Sequence, residues 1–414
     1  MLKRWVGLCL ISALSGTVVC GAPERPFPQH VTYAAGSIAP GVSQEKLDAA
    51  AAAFYDVWKG RYLHKGCAAG QAYIDYNREN RVGDREAISV SEGHGYGMIL
   101  TAFFAGHDAK AQEAFDQLYA FFRTHPSHFN HDLMAWQQVK GCKSRKGDDD
   151  SATDGDLDIA YALLLADAQW GSAGPIRYRE EALKVIAAIQ KDEVNSAIPS
   201  LKPGDWAQPG MSQVNDTRVS DFVPDHFRVF AKVTGNAVWT GLLDKEYQVI
   251  ARLQSANAPD TGLLPDFALR LNTAAPVPAG AHYMESSFDG GYFYNACRCP
   301  WRIGLDYLIT GDPRAQAALE KLNAFIQKTT GGDPDQIRAG YTLAGKVIHA
   351  DDTSLAFTAP FAVAAMADAH HQPWLDRLWE KVLSVELDDD DYYGNTIKLL
   401  CLVALSRNWW APAS

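Results

Sequence analysis

Beyond its first two dozen residues, this 414-residue chain has no long apolar run. None of its later stretches reaches the ~18 consecutive apolar residues that a membrane-spanning helix needs, which excludes a multispan membrane protein. Basic charge is also in short supply. Lys and Arg number 38 against 49 Asp and Glu, for a formal net charge of −11, a balance that opposes nucleic acid and anionic membrane as partners. Cysteine is scarce, seven in all, and no spacing among them makes a zinc site. The alternation of apolar and polar residues that marks strands is nearly absent. No low-complexity linker interrupts residues 40–410, so residues 41–414 read as one domain.

What is present begins with a leader. Lys3 and Arg4 precede an apolar stretch from Val6 to Leu14, and small residues around Gly21 and Ala22 suit cleavage. Residues 1–22 therefore read as a signal peptide, and the mature chain as secreted or periplasmic. A lipid-anchored reading of Cys20 is disfavoured, because Val19 stands where a small residue is expected. Export permits disulfides. Cys67 and Cys142, each following a glycine in a loop context, are the expected pair. Cys297 and Cys299 are expected on one helix, pointing different ways. Residues 23–40 carry four prolines and read as an extended lead-in.

Helical periodicity recurs through the rest. It predicts helices over 44–60, 92–106, 110–124, 154–170, 176–192, 221–234, 237–254, 290–311, 313–328, 353–368, 371–385 and 391–407. The odd members are amphipathic: "KAQEAFDQLYAFFRTH" (110–125) sets Phe115, Leu118, Phe121 and Phe122 on one side. The even members, such as "GYGMILTAFFAG" (95–106) and "TIKLLCLVALS" (396–406), are apolar nearly all round, and such helices are buried. Buried and amphipathic helices in alternation imply an all-α (α/α)6 barrel of six inner and six outer helices. An irregular helical array is the alternative.

In such a barrel the inner helices run parallel and share an N-terminal pole. Glu92, Asp154, Asp221, Glu285 to Asp289, Asp351 with Asp352, and Asp388 to Asp391 all stand at the starts of even helices. Trp136, Trp206, Tyr292, Tyr294, Tyr392 and Tyr393 lie in the nearby loops. Aromatic faces stack on pyranose rings, and paired acids perform glycoside hydrolysis. The densest acidic stretch, "DDDSATDGDLD" (148–158), packs six carboxylates into eleven positions. It exceeds what helix capping needs. It is not an EF-hand loop, since Ala152 and Tyr161 occupy the third and twelfth positions counted from Asp150.

Three motifs carry a resemblance to glycoside hydrolase family 8: "ATDGDLDIAYALLLADAQW" (152–170), "SEGHGYGM" (91–98) and "YFYNACRCPWRIGLDY" (292–307). The resemblance covers roughly residues 40–410. It implies the (α/α)6 fold, inverting hydrolysis of β-1,4-linked glucans, xylans or chitosan, and no metal or other cofactor for the chemistry. By position, Glu92 resembles the general acid and Asp154 the residue that grips the sugar beside the scissile bond. Tyr294 and Arg298 resemble sugar-contacting residues, and Trp136 and Trp206 stacking platforms; Asn295 and Tyr392 are assigned to the same substrate-binding group.

The sequence departs from the commonest family pattern at Asn295. Many members have Asp there as general base, and an amide cannot accept a proton from water. In a subgroup the base comes from the long preceding loop, here about 255–289. In members of that subgroup that cut chitosan the base is a Glu just upstream, which Glu285 matches; Asp289 is the reserve, with helix capping its competing role. The favoured expectation is a monomeric endo-β-1,4-glycanase whose partner is a polysaccharide. Chitosan is the first choice of substrate, because a polycation suits an acidic rim. An endoglucanase without chitosan activity, a carbohydrate-binding protein that has lost catalysis, and a helper of cellulose export are the alternatives.

Overall fold

The computed structural model describes residues 22–77, 86–389 and 391–412. The signal peptide expected at residues 1–22 lies, but for Ala22, outside the described residues. Twelve α-helices are present among them: α1 (Gln44–Tyr62), α2 (Ser91–Phe103), α3 (Ala111–Thr124), α4 (Thr153–Trp170), α5 (Tyr178–Asp192), α6 (Pro224–Thr234), α7 (Val238–Ala256), α8 (Cys299–Thr310), α9 (Pro313–Thr330), α10 (Leu355–Ala365), α11 (Gln372–Ser384) and α12 (Tyr392–Leu405). The even helices pack in sequence, α2 on α4, α4 on α6, and so round to α12 on α2. Each odd helix packs outside, α1 against α12 and the others against the even helix before them. This is the (α/α)6 barrel that the alternation of helix character implies.

The inner ring follows from composition. Every residue of α10 is buried, so a helix with no polar face has no solvent to turn one toward. On α3 the apolar stripe Phe115, Leu118, Phe121 and Phe122 is buried against the ring. Two glycines set how closely α2 and α4 approach. A Cβ on Gly155 would lie 2.6 Å from the Ser91 carbonyl carbon, and one on Gly95 would lie 2.8 Å from the Asp158 Cβ. Only glycine fits either contact, and the first turns of the two helices are drawn together as a result.

The closed pole is sealed by the lead-in. Backbone N–H groups of Glu24, Phe27, Val31, Ala34 and Ile38 donate to the carbonyls of Gln169, Ala105, Arg407, Leu308 and Met366. These carbonyls stand at or just past the C-termini of α4, α2, α12, α8 and α10, where a helix leaves acceptors unpaired. The tail completes the seal: Trp409 is fully buried against Phe103, Tyr161 and Trp301, and the Arg25 guanidinium lies 4.8 Å over the Trp410 ring.

The opposite pole differs from the sequence reading. Ten short strands in four small sheets decorate the described residues, all of them in the segments before inner helices. They are two to four residues long, too short for alternation to register. Helix α8 begins at Cys299 rather than at 290. Gly290 and Gly291 start that segment, Tyr292 bridges to Tyr341, and Asp266 captures the N–H groups of Phe293, Asn295 and Ala296, so the chain stays irregular until a 3₁₀ turn at Ala296–Arg298. Cys297 therefore lies on that turn and not on the helix with Cys299. Cys67 and Cys142 form the expected disulfide, which ties the loop after α1 to the loop between β4 (Gln137–Val139) and β5 (Lys143–Ser144).

Candidate active site

Arg298 is the hub of the open pole. It sits on the 3₁₀ turn that leads into α8 and is fully buried. Its Nη1 donates to Glu92 Oε2 at 2.6 Å, to Asp154 Oδ2 at 2.8 Å and to the Tyr96 hydroxyl at 3.2 Å. Its Nη2 donates to Ser220 Oγ at 2.6 Å and to Asn295 Oδ1 at 3.0 Å. Glu92 and Asp154 occupy the first turns of α2 and α4, which the glycine contacts bring side by side. A single guanidinium nitrogen thus serves two carboxylates from two inner helices.

That shared cation does not treat its partners alike. Burial pushes the Glu92 carboxyl up; Arg298 opposes this, the Asp154 charge reinforces it, and the group stands at about 7. Asp154 is also pushed up by burial, but Arg298 and Arg218, with the Gly155 N–H, overcome that and hold it down to about 2. Two neighbouring carboxyls with such divergent proton affinities suit one acid and one permanently charged partner. The Glu92 side chain keeps 18% exposure although its Oε2 is bound to Arg298.

Glu285 lies across the site on the loop before α8, with 44% of its side chain exposed. Asn295 Nδ2 donates to its Oε2 at 2.7 Å, and Arg218 Nη2 to its Oε1 at 2.7 Å. Asn295 is buried and joins the two halves of the site, since its other amide atom accepts from Arg298. The departure from Asp at 295 therefore has a structural counterpart: the amide donates to the carboxylate that the loop supplies.

Asp289, the reserve for the base, caps no helix, since α8 begins ten residues later. It is fully buried and accepts from the N–H groups of Met284, Glu285 and Ser286, so it clamps the turn that presents Glu285. Asp266 clamps the Asn295 turn in the same way, and burial, against those three N–H donors, pushes it up to about 7. Asp260 is exposed at the end of α7's connection.

The aromatic residues divide. Trp136 is 37% exposed. Its carbonyl accepts from Ser91 N–H, next to Glu92, and its N–H donates to Asp150. Tyr294 is 40% exposed. Trp206 is half-buried beside Gly204. Tyr392 departs from expectation: its ring is buried edge-on to Tyr62, and its hydroxyl lies over Gly93, so it cannot serve as a stacking face. As the first residue of α12 it points into the ring, and its half-buried neighbour Tyr393 donates its hydroxyl to the Tyr294 carbonyl at 2.9 Å. Sequence reasoning passed over Arg218, Tyr96 and Ser220. A charge balance was the available signal for Arg218, since Glu92, Asp154, Asp221 and Glu285 at one pole demand more than one cation.

The acidic rim is less bare than it reads. Asp148 pairs with Arg145 at 3.2 Å, Asp389 with Arg61 at 2.7 Å, and Asp391 caps α12 through Gly394 N–H at 2.7 Å. Lys140, Lys143 and Lys146 are exposed on the same β4–β5 hairpin.

A helical barrel that gathers a proton-holding carboxyl, a charged carboxylate and a loop-borne Glu among exposed aromatic faces is built for acid–base cleavage of a glycosidic bond: the protein is a glycoside hydrolase. More narrowly, the chain belongs to glycosyl hydrolases family 8, which it matches over residues 27–407. It is 44% identical to a "Beta-glucanase" of Niallia circulans over 411 residues, covering 99% of this chain and 97% of that protein. It is 36% identical to an "Endoglucanase" of Bacillus sp. (strain KSM-330), covering 94% and 82%. Among solved structures, a β-1,3-1,4-glucanase from Paenibacillus sp. X4 superposes with a TM-score of 0.89 at 43% identity, over 94% of this chain and all of that one.

Proposed function

We propose that this protein is an inverting endo-β-1,4-glucanase acting on neutral β-glucan of the cellulose or mixed-linkage type. The observation that carries the reading is the pair formed by Glu92, which holds a proton near neutral pH, and Glu285, which is exposed and fixed by two donors. Glu92 gives its proton to the glycosidic oxygen as the bond to the anomeric carbon breaks. A water attacks that carbon from the opposite face and passes a proton to Glu285. The product has the inverted anomeric configuration, and both carboxyls are reset by exchange with solvent. Arg298 stays bound to Glu92 and stabilises the carboxylate left after proton donation. Asp154, held ionised, grips the sugar next to the scissile bond. Trp136, Tyr294 and Trp206 supply apolar faces for further sugar units. In an inverting site the two carboxyls stand about 6.5–9.5 Å apart, which leaves room for the water.

Chitosan, the first expectation, is less well supported than neutral glucan. Its case rested on an unopposed acidic rim, whereas Arg145 and Arg61 pair with that rim and three lysines flank it. The relatives' names also favour a glucan. We extend the reading to residues 41–414 as one catalytic domain, exported as a monomer once residues 1–22 are removed.

The test is sugar release from barley mixed-linkage glucan, carboxymethylcellulose and chitosan, with proton NMR of the newly formed anomer. Release from the glucans with the α-anomer formed first is expected. Activity confined to chitosan, or initial β-anomer, would overturn the assignment.

A further inference from the structure

We propose that Arg218 is a positioning residue that aims the Glu285 carboxylate at the attacking water. The proposal rests on the reading of Glu285 as base, and its test separates the two. Glu285 stands on an irregular loop and is 44% exposed, so close packing does little to restrict its rotamer. Asp289 fixes only the loop backbone. The side chain is fixed by two donors, one on each oxygen, and Arg218 is the charged one.

Arg218 is itself held rigidly. It ends the two-residue strand β8 (Thr217–Arg218), paired with β9 (Phe267–Leu269), and Val219 N–H donates to the Asp266 carbonyl. Its guanidinium lies 5.2 Å over the Phe267 ring, and only 11% of its side chain is exposed. A buried cation therefore holds an exposed acid. Its second nitrogen, Nη1, is 3.5 Å from Asp221 Oδ2. Asp221 is fully buried, and burial, against the pull of Arg218, pushes it up to about 8. Near neutrality Asp221 keeps its proton and does not compete for the guanidinium. An ionised carboxylate has about four lone-pair sites, so two donors leave acceptor capacity for a water.

The test is a double-mutant cycle on barley mixed-linkage glucan, with folding checked by circular dichroism. Arg218→Gln is expected to lower kcat by about a hundredfold, the scale of a general-base contribution, with KM moved by less than about threefold. Arg218→Lys, which restores a charge without the fork, is expected to recover part of that loss. The double variant R218Q/E285Q is expected to be no slower than Glu285→Gln alone, because Arg218 acts through Glu285. If R218Q does not fold, R218K and R218K/E285Q complete the same cycle. A kcat within about threefold of wild type in the Arg218 variants, or losses that multiply in the double variant, would overturn the proposal. A wild-type rate in Glu285→Gln would instead overturn the base reading beneath it.

Discussion

Asn295→Asp restores the residue that the commonest members of the family carry, and in this protein it should lower activity sharply. In wild type, Asn295 Nδ2 donates to Glu285 Oε2 at 2.7 Å, while Oδ1 accepts from Arg298. The substitution removes a hydrogen bond to a charged group, which contributes about 1.5–3 kcal/mol. It also sets a second carboxylate against the first. At the same 2.7 Å and an effective dielectric of about 20, two unit charges repel by about 6 kcal/mol. Solvent over the half-exposed Glu285 screens part of that, but the remainder acts in the same direction as the lost donor. Two carboxyls that close share one proton, as acid dyads do. A carboxyl that already shares a proton is a weaker acceptor for one from water, so kcat near pH 6–7 should fall at least about a hundredfold, with KM little changed. The assay is reducing-end release from mixed-linkage glucan, alongside thermal unfolding to show that the fold is intact. Wild-type activity in the variant would show that the amide-to-carboxylate bond has no role in keeping Glu285 ready.

Two further predictions follow from the buried acids. Glu92→Gln should reduce hydrolysis of glucan by about 10²–10⁴, the range for general acid catalysis, and wild-type kcat/KM should fall on the alkaline side around the Glu92 value of about 7, a limb that log kcat/KM against pH will show. Stability should also decline as pH rises from about 5 to 8. Glu193 and Asp221 at about 8, and Asp266 and Glu92 at about 7, all keep protons in the native chain that the unfolded chain has already released, so each lowers stability as pH rises above the unfolded carboxyl range and until its own native value is passed. Asp154, held near 2, works the other way, and its contribution is lost only as the pH falls below about 4. Urea midpoints at pH 5, 6.5 and 8 will check this, and a midpoint that rises with pH would contradict it.

The barrel was legible because its signal is long-range and redundant. Helices apolar on every face and helices with one apolar stripe alternate over the whole chain, and one misplaced boundary cannot hide that. The convergence of Glu92 and Asp154 was legible for a related reason: parallel inner helices force their first turns to one pole, and the loop that carries Glu285 leads into another of them. What escaped was short-range or three-dimensional. Strands of two or three residues have no period. The start of α8 was displaced because Asp266, some thirty residues upstream, holds backbone N–H groups that a helix would use. Tyr392 and Tyr393 are adjacent and alike in sequence, and only the docking of α12 against α2 decides which ring is buried. Arg218 belongs to no motif; its role exists only because β8 and the Glu285 loop meet.

The lead-in and the tail have a practical consequence for handling the enzyme. Glu24 donates to Gln169, and Arg25 packs over Trp410, so both ends of the described chain are anchored on the face away from Glu92 and Glu285. A bead, a surface linker or a fused module joined beyond Trp410 would point away from the polymer being cut and leave its approach unobstructed. Shortening the lead-in has the opposite character: it removes no group from the chemistry, yet it uncovers the carbonyl ends of five inner helices at once. Grafting at this face should therefore be harmless, whereas trimming it should unseat the scaffold on which the side chains of the open pole are aligned.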